Sequence, residues 1–234
     1  MTNYKDLFLW TLIEEIGNAY THGIRIKTPV TVALPPKKLD TTLNVDDSII
    51  EFYNQTSRLE LAWELTDTPE NTEPFQKNEF IIENYLTKDY SWSFVKELLS
   101  GYINITASDA VFDKEYNDQQ AFKYTLDKLN IKDDFFAFDI QSSVTACFKK
   151  IDNHVPDTIW LIHTDANQVY DMKIKLEEYL NLAYQAKCLK NWQLIYLFGK
   201  KASEYELMKR FIPFIFKHIK TDLDAFDINT NEKH

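Results

Sequence analysis

Residues 59–65 constrain the fold more than any other stretch. Leu59, Leu61, Trp63 and Leu65 alternate with Glu60, Ala62 and Glu64, the period-2 pattern of a β-strand with one buried and one wet face. Such a strand needs neighbours, because its backbone N–H and C=O groups must find partners once they leave water. The residues before it offer helix instead. Leu9, Leu12, Ile13, Ile16 and Tyr20 share one helical face, with Asn3 placed to cap the start and Gly23 to end it. Pro29, Pro35 and Pro36 then interrupt residues 28–42, and a second helix carries Val45, Ile49, Phe52, Tyr53 and Thr56 on one stripe, with Asp46 and Asp47 at its positive end. The sheet has to be completed from downstream, so the whole chain is expected to form one domain.

The downstream residues supply what is missing. Gly101-Tyr-Ile-Asn-Ile reads as a short strand, and three more strands are expected near 135–140, 144–151 and 158–163, with Asp152-Asn153 and Pro156-Asp157 as turn residues between them. Their simplest arrangement is an antiparallel meander. Leu176, Tyr179, Leu180, Ala183 and Lys187 define a helix over about 174–188, Trp192–Phe198 is short and apolar, and Met208, Phe211, Ile212, Ile215 and Ile219 define a last helix that Pro213 kinks or starts. Residues 66–78 are polar, acidic and proline-punctuated, the marks of a surface loop, and a helix is expected around Trp92–Leu99. The expectation is a single α+β domain over 1–234: a mainly antiparallel sheet of about 4–6 strands flanked by helices, helical termini, and a disordered tail at 228–234.

Composition narrows the chemistry. Only 4 glycines occur in 234 residues, too few for the glycine-rich loops that cradle phosphates. Of the five histidines, His22, His154, His163, His218 and His234, no two stand at the His-x-x-x-His spacing that sets imidazoles around zinc. No Gly-x-Ser-x-Gly elbow surrounds Ser142-Ser143, and Glu177-Glu178 and Asp133-Asp134 are adjacent carboxylates rather than a pair facing across a cleft. No metal, no cofactor and no enzymatic activity are expected. Cys147 and Cys188 are too few and too far apart for a disulfide framework, which points to a reduced, cytoplasmic setting. The apolar run Leu7–Ile13 is bracketed by Asp6 and by Glu14 and Glu15, so it reads as helix rather than signal, and no 18-residue apolar stretch suggests a membrane span. The expected oligomeric state is a monomer or weak dimer.

Charge is the strongest functional signal. The net charge of −10 opposes nucleic acid and anionic lipid and favours a basic protein partner. Between residues 40 and 89, twelve acidic side chains face three basic ones, whereas residues 200–220 lean basic. Glu60 and Glu64 on the wet side of the strand, with Asp67, Glu70, Glu73 and Glu79 beyond it, are the candidate partner-binding residues. A solvated face kept for solubility explains the same acids. Tyr53, Trp63, Phe138, Tyr179 and Trp192 are expected in the core rather than around a ligand.

One segment adds a resemblance. Ile50-Glu-Phe-Tyr-Asn-Gln-Thr-Ser-Arg-Leu-Glu-Leu-Ala-Trp63 resembles the part of the SUKH superfamily in which a helix ends in a tyrosine and an asparagine-glycine turn and runs into a strand carrying a tryptophan, with Ser57-Arg58 standing at the turn here. Three further stretches are similar in order: Gly101–Phe112 to the family's glycine-led strand and short helix, Phe138-Asp139-Ile140 to its Phe-Asp strand, and Leu176–Leu182 through Asn191–Tyr196 to its closing helix pair. Together they cover roughly residues 43–198. The resemblance implies a central sheet flanked by helices and, for bacterial members, an immunity protein that neutralises a toxin domain, often a nuclease or deaminase. It carries over no catalytic residue. The family also includes fungal regulators of cell-wall assembly and scaffolding members, so an adaptor that binds a protein partner without any toxin is the alternative.

Overall fold

The computed structural model describes residues 3–21, 26–39, 41–67, 99–216 and 226. Its first helical stretch comes in three pieces: α1 (Tyr4–Asp6), one π-helical turn (Leu7–Thr11) and α2 (Leu12–Thr21). Asn3 caps the start, its side-chain oxygen accepting from the Asp6 N–H at 3.2 Å. The wide π turn changes the phase of the buried stripe. Phe8, Leu12 and Ile16 are therefore buried, Leu9 and Ile13 are half-buried, and Trp10 is exposed.

In chain order there follow β1 (Ile26–Leu34), β2 (Asn44–Val45), α3 (Asp47–Tyr53), β3 (Arg58–Leu65) and β4 (Gly101–Ile105). Next come α4 (Lys114–Asp118), α5 (Ala121–Lys128), β5 (Phe135–Ile140), β6 (Val144–Lys149), β7 (His154–Val155), β8 (Thr158–His163) and β9 (Gln168–Lys175). Then come α6 (Leu176–Gln185), α7 (Trp192–Phe198) and α8 (Ser203–Ile215), the last of the described helices, with Pro213 inside it. Residues 92–98 of the expected helix, residues 68–78 of the expected loop, Gly23 and the 228–234 tail lie outside the described residues.

Seven strands form one sheet in the order β1-β3-β4-β5-β6-β8-β9, and β2 pairs in parallel with β7. Every pairing from β4 to β9 is antiparallel, so the protein is α+β with a mainly antiparallel sheet and the expected meander. The sheet is larger than the sequence pattern indicates, because β1 and β9 were hidden. β1 contains Pro29, which removes a backbone donor, and β1 stands at the end of the strand order where that loss is tolerated. β9 carries a bulge opposite Thr158–Trp160 with Lys173 at φ 59°, which breaks the alternation that would have announced a strand.

By internal contacts the chain divides into two compact units. One comprises Met1–Leu7, Val32–Glu60 and Ile103–Ala183. Its core is aromatic, with Phe138 packed against Phe52 at 5.6 Å, Phe148 at 5.0 Å and Tyr179 at 6.0 Å between ring centres. A further cluster forms where Phe122 and Leu126 of α5 cover Phe135, Ala137, Cys147 and Ile162. Burying a large apolar side chain contributes roughly 1.5–3 kcal/mol relative to leaving it exposed, so these clusters are what hold the helices on their strands. The other unit comprises Phe8–Thr31, Leu61–Tyr102 and Tyr184–His234. Here Trp63 meets Phe216 edge-on at 5.6 Å and Trp192 meets Phe226 at 6.2 Å.

Candidate partner-binding surface

The strand alternation places Glu60 and Glu64 on the less buried side of β3, and the chain itself neutralises both. Arg58 Nη2 stands 2.6 Å from Glu60, whose side chain is only 13% exposed. Lys27 Nζ stands 2.6 Å from Glu64, and the hydrogen bond and charge of that carboxylate raise the Lys27 ammonium above its ordinary pKa. Asp67 is exposed, while Glu70, Glu73 and Glu79 lie outside the described residues.

A second group of acids is held differently. Asp46 sits in extended conformation just before α3 but does not cap it with its side chain. Its carboxylate instead accepts from the Asp157 N–H at 2.9 Å and from His154 Nε2, also at 2.9 Å. Asp157 in turn accepts from Ser48 Oγ at 2.8 Å and stands 3.5 Å from Lys175. This network pins the start of α3 to the segment between β7 and β8. Ile49, Phe52 and Tyr53 then face inward, and Tyr53 donates its hydroxyl to the Thr106 carbonyl at 2.9 Å.

What the inward stripe leaves outside is the feature of interest. Asp47, Ile50, Glu51 and Asn54 are exposed, and among the described residues the carboxylates of Asp47 and Glu51 make no ion pair. An exposed branched apolar side chain between uncommitted carboxylates supplies the two components of a protein interface, an apolar centre and a charged rim. The sequence carried a signal for it: Ile50 is the apolar residue that falls off the stripe formed by Val45, Ile49, Phe52, Tyr53 and Thr56.

The interior is built for packing. Tyr53, Trp63, Phe138, Tyr179 and Trp192 are all 1% exposed or less. Asp139 is fully buried and accepts from the Asn104 N–H at 2.9 Å, Gln141 Nε2 at 3.2 Å and the Tyr179 hydroxyl at 2.7 Å. Burial raises its pKa against the lowering effect of those three hydrogen bonds. Cys147 and Cys188 are buried free thiols, and burial pushes the Cys147 thiol well up, away from the thiolate a nucleophile requires. Among the described residues, no group of three or more His, Cys, Asp or Glu side chains is arranged to hold a metal ion, and no helix is long and apolar enough to cross a membrane. No known protein family, curated protein or solved structure matches the chain.

Proposed function

We propose that this protein is a non-catalytic cytosolic immunity protein that binds and blocks a basic toxin domain, a nuclease or deaminase in class. The observation that carries the reading is the outer face of α3, where Ile50 is 37% exposed beside the uncommitted carboxylates of Asp47 and Glu51. A toxin that acts on nucleic acid is basic around its site, and an acidic surface accelerates association with it and can occlude it. The net charge of −10 and the resemblance of residues 43–198 to a family rich in immunity proteins support the same reading. The test is co-production in bacteria with a panel of nuclease and deaminase toxin domains, scored for survival and for a complex on gel filtration. Survival with one domain and a stable complex with it are expected. Growth arrest with every domain, together with no complex, would remove the proposal.

A further inference from the structure

β1 stands at one end of the strand order, with β3 as its only strand neighbour among the described residues. Its other edge offers backbone donors and acceptors to a further strand. The Leu34 carbonyl accepts from the Ser57 N–H at 3.3 Å and the Thr56 hydroxyl at 2.9 Å, so position 34 turns toward β3. Backbone direction alternates along a strand, which turns Val30 and Val32 the same way and aims the amides of Thr31 and Ala33 outward. Positions 29 and 35 fall in the outward set, and the prolines there have no N–H to offer. Side chains alternate too. Lys27 shares a face of the sheet with Glu64, its ion-pair partner. Val30, Val32 and Leu34 lie on the opposite face, the one that carries the buried row Leu59, Leu61, Trp63 and Leu65 of β3. Yet Val30 and Val32 are only half-buried and Leu34 is 45% exposed. An apolar row therefore runs to the rim of the sheet and ends there part-exposed.

The order of residues along this edge selects what fits it. Pro29-Val-Thr-Val32-Ala-Leu-Pro35 carries no charge and is symmetric in kind about Val32. A two-fold axis through Val32, perpendicular to the sheet, lays a second copy's β1 antiparallel to the first and keeps both apolar faces on one side. Thr31 then meets the second copy's Ala33, and each such pair exchanges two backbone hydrogen bonds. Val32 meets its own counterpart, Val30 meets Leu34, and the apolar row continues across the junction. At either end proline meets proline, so no donor is left without an acceptor. Beyond them Lys27 meets Lys37, and each already has a carboxylate, Glu64 at 2.6 Å and Asp109 at 2.7 Å. A strand of unrelated sequence would share the backbone bonds but not this match of side chains. We infer that β1 pairs with β1 of a second copy of this chain, in antiparallel register centred on Val32. The inference goes beyond the proposed function and does not depend on it, since no toxin takes part.

The test is sedimentation equilibrium of the whole chain. A contact along one strand edge falls below the ~1,200 Å² of stable interfaces, so a weak dimer is expected, with a dissociation constant between about 1 µM and 1 mM. Leu34→Lys sets a charge against the second copy's Val30, and Thr31→Pro removes an outward N–H from each copy while sparing the bonds to β3. Both positions are exposed, so each variant should keep the wild-type circular dichroism spectrum, yet dimerise about tenfold more weakly or worse. Cysteines read the register. Across an antiparallel pair that shares no hydrogen bonds the Cα atoms stand about 4.5 Å apart, within reach of a disulfide. Val32→Cys should therefore cross-link to itself under oxidised glutathione, Val30→Cys should not, and a mixture of Val30→Cys with Leu34→Cys should give the mixed dimer. Cys147 and Cys188 are buried and do not compete. A monomer at every concentration up to about 1 mM would overturn the inference. So would a dimer that Leu34→Lys and Thr31→Pro leave intact, which places the contact elsewhere, or cross-linking of Val30→Cys as fast as that of Val32→Cys, which denies the register.

Discussion

The indole N–H of Trp63 donates to the backbone carbonyl of Lys187 at 2.6 Å, deep in the unit that holds both residues. Lys187 and Cys188 both adopt left-handed backbone, at φ 54° each, a conformation that costs a non-glycine residue roughly 1–2 kcal/mol. The turn is fixed by what surrounds it: the Lys187 carbonyl takes the indole proton, and the Cys188 carbonyl accepts from the Tyr102 N–H at 2.6 Å. Trp63 is thus both an apolar anchor and the donor that satisfies a strained loop. Trp63→Phe keeps most of the packing but strands a buried carbonyl, a loss of roughly 1–3 kcal/mol, whereas Trp63→Ala should cost about 3–5 kcal/mol. Denaturant melts of the two variants measure the difference. A Trp63→Ala protein that melts like wild type would contradict this role.

Gly101 is required for that arrangement. A Cβ at position 101 would fall 1.9 Å from Trp63 Nε1 and 2.3 Å from its Cε2, and the indole cannot retreat while bonded to Lys187. Gly101→Ala should therefore destabilise by on the order of 1–3 kcal/mol through overpacking. Gly17→Ala serves as the control, since a Cβ there meets nothing within 4 Å and sits in α2, where alanine is favoured.

Lys187 also carries a buried charge. Its side chain is 2% exposed, its ammonium stands 2.9 Å from Glu15 and 4.1 Å from the centre of the Tyr184 ring, and the Tyr184 hydroxyl donates to the same Glu15 carboxylate. Removing one member leaves the other ion buried without its counter-charge, which costs about 3–5 kcal/mol, whereas an apolar replacement of both can be near neutral. Glu15→Gln and Lys187→Met should each lower the melting temperature more than the double variant Glu15→Leu/Lys187→Met. Additive losses in the double variant would show that the pair does not act as a unit.

These relationships also show which parts of the molecule sequence patterns reveal. β3 and the β5-β6-β8 meander were legible because alternation is a local signal, and the inward stripe of α3 was legible for the same reason. β1 and β9 were not, since Pro29 and the bulge at Lys173 erase the period that identifies a strand. The direction of Glu60 and Glu64 followed from the pleat. The neutralisation of Glu64 did not, because Lys27 reaches it from β1, a strand the sequence conceals.

Asp139 gives the protein a pH dependence of predictable sign. Burial raises its pKa in the folded state above the ordinary 3.8, so the native protein holds that proton more tightly than the unfolded chain does. Its contribution to stability is fully present below the ordinary value and is lost as pH rises through the folded value. Asp139→Asn removes this titration and keeps the hydrogen bonds, since the Gln141 amide can turn over and the Tyr179 hydroxyl can accept. The stability of wild type minus that of Asp139→Asn should therefore fall as pH is raised above about 4. A flat difference between pH 4 and 8, measured by urea melts, would show that Asp139 does not carry it.

The last prediction separates the two acidic surfaces as contacts for a basic partner. Glu60 and Glu64 are engaged with Arg58 and Lys27, so reversing them breaks internal pairs and confounds binding with folding. Asp47 and Glu51 are exposed and make no ion pair among the described residues, so Asp47→Lys/Glu51→Lys should lower stability by only about 1 kcal/mol, the loss of a carboxylate from the first turn of α3. Against the toxin domain that co-production identifies, this variant should associate about tenfold more slowly at low salt and lose most of its salt dependence, because steering acts through the summed field and is screened within ~10 Å at 0.1 M salt. Ile50→Ala should act on the other rate, speeding dissociation, since an apolar contact at the centre of an interface stabilises the formed complex rather than the encounter. The comparison variant Asp67→Lys/Glu70→Lys/Glu73→Lys tests the stretch that follows β3. If that variant slows association and Asp47→Lys/Glu51→Lys does not, the partner meets the protein beyond β3, and the outer face of α3 is solvated surface.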